Sequence, residues 1–141
     1  ASYFHVMAFT PENTKVRLRL CELSVRLGNR SEALNYCTEV TERAPTWADG
    51  WYQLGREYYL RGDFASAQSS FNHCSTLQAQ QNTPISQRHF ECWYLQGQSA
   101  ERLGDCESLL RIYNEYLSMI AIYPIEETWT YPPEGPSICL N

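Results

Sequence analysis

Lysine is almost absent from this sequence: Lys15 is the only one, and eleven cationic residues stand against sixteen acidic ones, for a net charge of −5. A chain of that balance has no basic field with which to neutralise a phosphate backbone, so nucleic acid is excluded as an expected partner. Long hydrophobic runs are missing too. None approaches the roughly 20 residues that span a bilayer, and the first residues do not pair a charged segment with an apolar stretch and a small-residue cleavage site. The expectation is a chain that inserts in no membrane, carries no address and works in the cytoplasm, with the nucleus as the other location.

Catalytic signatures are also lacking. There is no GxSxG elbow, no phosphate-cradling glycine loop and no cysteine in a nucleophile signature. The three histidines, His5, His73 and His89, are far apart, and none pairs with a cysteine or carboxylate at ligand spacing. No catalytic residue, metal or cofactor is expected, and the chain is not read as an enzyme. CxxC pairs are absent as well: Cys21, Cys37, Cys74, Cys92, Cys106 and Cys139 stand singly. Six cysteines would suit a small secreted domain. Several, however, fall at helix-packing positions, where free cysteine behaves as a small hydrophobe, and the reading is of reduced thiols in an intracellular protein. The sequon Asn29-Arg30-Ser31 matters only in a secreted protein and is set aside.

What the chain does have is apolar content and repetition. At 141 residues, 43% hydrophobic and 19% charged, it is expected to fold as one domain. A shift of 34 residues carries Leu20 onto Leu54, Gly28 onto Gly62, Ala33 onto Ala67 and Cys37 onto Phe71, with Leu34 falling on Gln68 at an outward position. A shift of 42 carries Trp51 onto Trp93, Gly55 onto Gly97, Gly62 onto Gly104 and Asp63 onto Asp105. The extra eight residues must lie between the second and third copies.

The middle copy reads Trp51, Leu54, Gly55, Tyr58, then Gly62-Asp63-Phe64, then Ala67, Phe71, Cys74 and Leu77. Small residues at Gly55 and Ala67 let two helices approach, Gly62 frees the backbone to end the first, and Asp63 is placed to cap the second. This pattern resembles the tetratricopeptide repeat family. The resemblance implies an all-α fold, a right-handed solenoid of antiparallel helix hairpins, with a surface for another protein in place of a catalytic cleft. Its units are residues 1–13 as the closing half of a preceding repeat, suggested by Tyr3, Val6 and Phe9 before Pro11, then 14–47, 48–81 and 90–123 as three repeats. Residues 82–89 form an insertion and 124–141 an extended, proline-rich tail. In the third copy Gln96 stands where the pattern has leucine.

In that family the concave groove is lined by first helices. By phase, the lining residues here are Lys15, Leu18, Arg19, Glu22 and Arg26, then Asp49, Tyr52, Arg56 and Tyr59, then Glu91, Tyr94, Gln98 and Arg102. Tyrosine and arginine anchor interfaces, so the groove is expected to hold a protein or peptide ligand. The lysines and asparagines with which some relatives grip the acidic tails of Hsp70 and Hsp90 are missing: Leu18, Glu22, Tyr52 and Arg56 occupy those positions. The alternative is an assembly piece that meets neighbours through its end face and tail. The last helix carries Leu110, Ile112, Leu117 and Ile120 outside its own hairpin, and Ile125, Trp129, Tyr131 and Ile138 of the tail are the nearest residues able to cap them.

Overall fold

The computed structural model describes residues 11–126 and 129–140. Tyr3, Val6 and Phe9, read above as half a repeat, lie outside the described residues. Among the described residues six helices follow one another: α1 Pro11–Leu27, α2 Arg30–Arg43, α3 Ala48–Arg61, α4 Phe64–Gln80, α5 Glu91–Leu103 and α6 Cys106–Ile122. No strand occurs among the described residues, and none of the helices is long and apolar enough to cross a membrane. Each helix packs on its sequence neighbour, and α3 also touches α1 and α5, the one-dimensional stacking of a repeat protein.

The turns explain the hairpins. Gly62 ends α3 at φ +81°, a left-handed conformation that L side chains rarely adopt. Its N–H donates to the carbonyl of Tyr59 and that of Asp63 to the carbonyl of Tyr58, both at 3.0 Å, satisfying carbonyls the helix leaves open. Asp63 then accepts from the backbone N–H of Ser66 at 3.2 Å and starts α4. Asp105 does the same for Ser108 at the start of α6. Between α3 and α4 the close approach needs Gly55, where a Cβ would stand 2.7 Å from the ring of Phe71.

Between copies the contacts are of two kinds. Leu54 joins Cys21, Val25, Ala33 and Cys37 in one apolar cluster, while Ala67, Phe71, Cys74, Trp93, Leu109, Ile112 and Tyr116 belong to a larger one. Glu57, fully buried, stands 3.0 Å from Arg30 of the first hairpin and 2.7 Å from Arg61 of its own helix. A buried carboxylate costs several kcal/mol to desolvate unless it is paired, and two guanidiniums meet that need. Gln96 is buried where leucine was expected, accepting from Ser75 Oγ at 3.0 Å and donating to Asn72 Oδ1 at 3.2 Å. Those two partners on α4 account for a polar residue in an apolar register.

The cysteines correct the sequence reading. Cys21 is bonded to Cys37, Cys74 to Cys92 and Cys106 to Cys139, and none is free. The packing positions that suggested inert thiols are the cause, because they bring the Cα atoms of each pair to 4.9, 6.0 and 5.3 Å. One bridge closes the first hairpin, one ties α4 to α5 across the repeat boundary, and one ties the tail to α6.

The insertion divides in two. α4 runs on to Gln80, and a loop with a single 3-10 turn at Ile85–Gln87 leads back to α5. Buried Gln78 accepts from the backbone N–H of His89 at 2.8 Å and so pins the loop's far end. Beyond Ile122 the described residues form no helix until a 3-10 turn at Ser137–Cys139. Trp129 lies against α5 and α6 at 5% exposure, edge-on to Tyr113 at 5.0 Å and Tyr116 at 5.1 Å. Ile112 is buried and Ile120 half-buried, whereas Leu110 and Leu117 keep 40% and 38% of their surface. The tail thus lies over the Tyr113 and Tyr116 side of α6, away from the two leucines.

Candidate functional site: the face of the first helices

The strip is clearest between α3 and α5. Tyr52 donates its hydroxyl to the carboxylate of Glu91, and its ring stacks on His89 with centroids 4.2 Å apart. His89 Nε2 lies 2.7 Å from Asp49 Oδ1. Arg56 places its guanidinium 5.7 Å from the centre of the Tyr52 ring, a cation–π contact. One turn on, Tyr59 donates to Gln98 Oε1 at 3.1 Å and meets Phe64 edge-on. Arg102 sits 5.2 Å over that same phenyl ring. Tyr94 meets Tyr116 edge-on at 6.3 Å.

Helical spacing produces this ladder: Asp49, Tyr52, Arg56 and Tyr59 are three or four residues apart and share one face of α3. The matching residues of α5 stand opposite because the two copies pack in register.

The ladder ends in a hollow of about 350 Å³, walled by Tyr59, Gln98, Glu101, Arg102 and tail residues 129–131. Tyr131 accepts from Trp129 Nε1 at 3.0 Å and donates to Glu101 Oε1 at 3.3 Å, while its backbone N–H donates to the Tyr113 hydroxyl at 3.2 Å. Burial pushes the Tyr131 phenol up to about 12, with the neighbouring Glu101 carboxylate adding to the rise.

The tetratricopeptide repeat family model matches residues 48–81. That stretch is similar to one tetratricopeptide repeat. No curated protein matches the chain. The matched stretch is α3 and α4, the hairpin in which Gly55 meets Phe71; both flanking hairpins repeat its left-handed glycine, and the third also its capping aspartate.

Of the residues that the resemblance assigns to a groove, Tyr52, Arg56, Tyr59, Gln98 and Arg102 come together with Asp49 and Glu91 in the ladder. On α1, Lys15, Arg19, Glu22 and Arg26 are all exposed, whereas Leu18 is buried and packs inward. Three groups escaped sequence reasoning: His89, Phe64 and the Glu101–Tyr131 pair. His89 could have been found, since it ends the insertion directly before the third copy. The Glu101–Tyr131 pair could not, because no periodicity locates an extended tail. Among the described residues no three of His, Cys, Asp and Glu gather as a metal site.

Proposed function

We propose that this protein is an interaction module that receives a segment of another protein along the face of α1, α3 and α5. The observation that carries the proposal is the Tyr52–His89–Arg56 cluster continuing through Tyr59 and Gln98. Aromatic rings and arginine are pre-positioned there by contacts within the protein, so little side-chain entropy remains to be lost on binding. Lys15, Arg19, Glu22 and Arg26 extend the same face with exposed charge, suited to setting register and rate more than affinity. Tyr94 and the hollow beside Tyr131 complete it. A nucleic acid is not proposed as partner, and neither is the Hsp70 or Hsp90 tail: Leu18 is buried and Glu22 would repel it.

The test is capture by the intact protein beside a variant carrying Tyr52→Ala, Arg56→Ala and Tyr94→Ala. A partner held by the first and lost by the second, at closely similar melting temperatures, supports the proposal. Equal capture by both removes it.

A second reading rests on Leu110 and Leu117, whose exposure leaves an apolar strip on α6 beside the tail. In that reading the protein is an assembly piece, meeting a neighbouring subunit through its end face. Sedimentation would show oligomers dissolved by Leu110→Lys with Leu117→Lys, and a wild-type monomer at all concentrations would exclude self-assembly. We also infer an oxidising compartment in place of the cytoplasmic or nuclear setting expected from the sequence. Three bridges among six cysteines support it.

A further inference from the structure

At the capping position of each second helix stand Asn29, Asp63 and Asp105, related by the same 34- and 42-residue shifts. The backbone is nearly identical at the three, with φ and ψ of −79° and 82°, −87° and 79°, and −89° and 81°. Both aspartates cap their helices through the side chain. Asn29 does not, although an asparagine oxygen caps as well as an aspartate one. Its side chain is exposed, and so is that of Ser31. The guanidinium of Arg30 between them folds back onto the carbonyls of Val25 and Gly28, at 3.1 and 3.4 Å. An amide in the register of a cap is left to solvent.

Asn29-Arg30-Ser31 is the sole Asn-x-Ser/Thr triplet in the chain, and in the oxidising compartment that the disulfides favour such a triplet is an acceptor of sugar. We propose that Asn29 is a site of N-linked glycosylation. The donor is a lipid-pyrophosphate-linked oligosaccharide, and the catalyst is a separate transferase. Asn29 Nδ2 forms a bond to the anomeric carbon of the sugar and gives up one proton to a base. The bond from that carbon to the phosphate oxygen breaks, its electron pair leaving with the lipid pyrophosphate. The turn between α1 and α2 is exposed at both Gly28 and Asn29, so the glycan clears the helix interfaces and the Cys21–Cys37 bridge. The inference is independent of what the first-helix face binds.

The experiment secretes the whole chain from a eukaryotic host behind a cleavable signal and measures intact mass before and after peptide-N-glycosidase. Wild type and Ser31→Thr should carry a glycan that the enzyme removes, leaving aspartate at position 29; Asn29→Gln and Ser31→Ala should carry none. Since Asn29 caps nothing, Asn29→Gln should be secreted with its disulfides formed, which separates loss of the sugar from loss of the fold. Secreted, fully disulfide-bonded wild type with an unmodified Asn29 overturns the proposal. So does a chain retained in the cell with six reactive thiols, because the compartment on which it depends would be wrong.

Discussion

Trp129 fills the space left by the missing side chain of Gly97: a Cβ built on that glycine would stand 2.1 Å from Cη2 of the indole and 2.2 Å from Cζ2. In the middle copy the equivalent Gly55 meets Phe71 of its own hairpin at 2.7 Å. In the last copy the partner comes from the tail. An element with no helical period therefore completes the core of the third hairpin.

Gly97→Ala should consequently act on the tail. No rotation relieves a contact that short, so the indole must leave, and overpacking of this kind typically costs about 1–3 kcal/mol. Trp129→Ala should cost about 3 kcal/mol or more through the cavity it leaves. Combined, the two should be markedly less than additive, because both remove the same contact. Urea unfolding of the three variants checks this, and a Gly97→Ala protein as stable as wild type would contradict the packing described.

Tyr131 ties the same tail down by hydrogen bonds, and its phenol is raised from 10.0 to about 12, chiefly by burial. A raised folded-state value favours the neutral form, so the tyrosine's contribution to stability is complete below pH 10 and lost as pH climbs through about 12. Absorbance titration should show a tyrosinate that ionises late in wild type and is missing in Tyr131→Phe. Ionisation of all tyrosines together at the ordinary value would place this hydroxyl in solvent.

The repeat register was legible because it depends on local chemistry. Gly28, Gly62 and Gly104 each end a helix at positive φ, and glycine is the residue type that does so at least cost. The set Asp49, Tyr52, Arg56 and Tyr59 came from the resemblance, which implies that first helices line the groove, and helical spacing then puts the four on one face of α3. The bridges were not legible, because Cys21 and Cys37 occupy positions where a small hydrophobe would serve equally. Nothing in a single sequence separates two thiols packed side by side from two that are bonded. For Trp129 the sequence suggested a place on the last helix but not the one it takes, because where an extended segment turns back depends on long-range contacts with Gly97, Tyr113 and Tyr116, which leave no periodic trace.

Gly62 gives a test of the repeat free of packing effects, since a Cβ there would meet nothing within 4 Å. Whatever Gly62→Val costs is then the backbone's own preference at φ +81°, about 1 kcal/mol or more. Gly62→Asn should cost less, because asparagine tolerates the left-handed region. Thermal melts that rank the two the other way would mean that the turn is not left-handed in solution.

The bridges make the most exacting prediction, because pairing and stability can be read separately. In denaturant without reductant no cysteine should be alkylated, and after reduction all six should be. Peptide mapping should recover Cys21 with Cys37, Cys74 with Cys92 and Cys106 with Cys139. The three links close segments with sequence separations of 16, 18 and 33, and loops of such lengths stabilise by about 2–4 kcal/mol each, mainly by restricting the unfolded chain. Cys21→Ala with Cys37→Ala should therefore lower stability by roughly that amount with the helical spectrum retained. Removing Cys106 and Cys139 should act differently, since that bridge holds the tail and not a hairpin: Trp129 should become more accessible to a quencher while α1 to α4 unfold as before. Six thiols alkylated in the unreduced protein would refute the pairing outright.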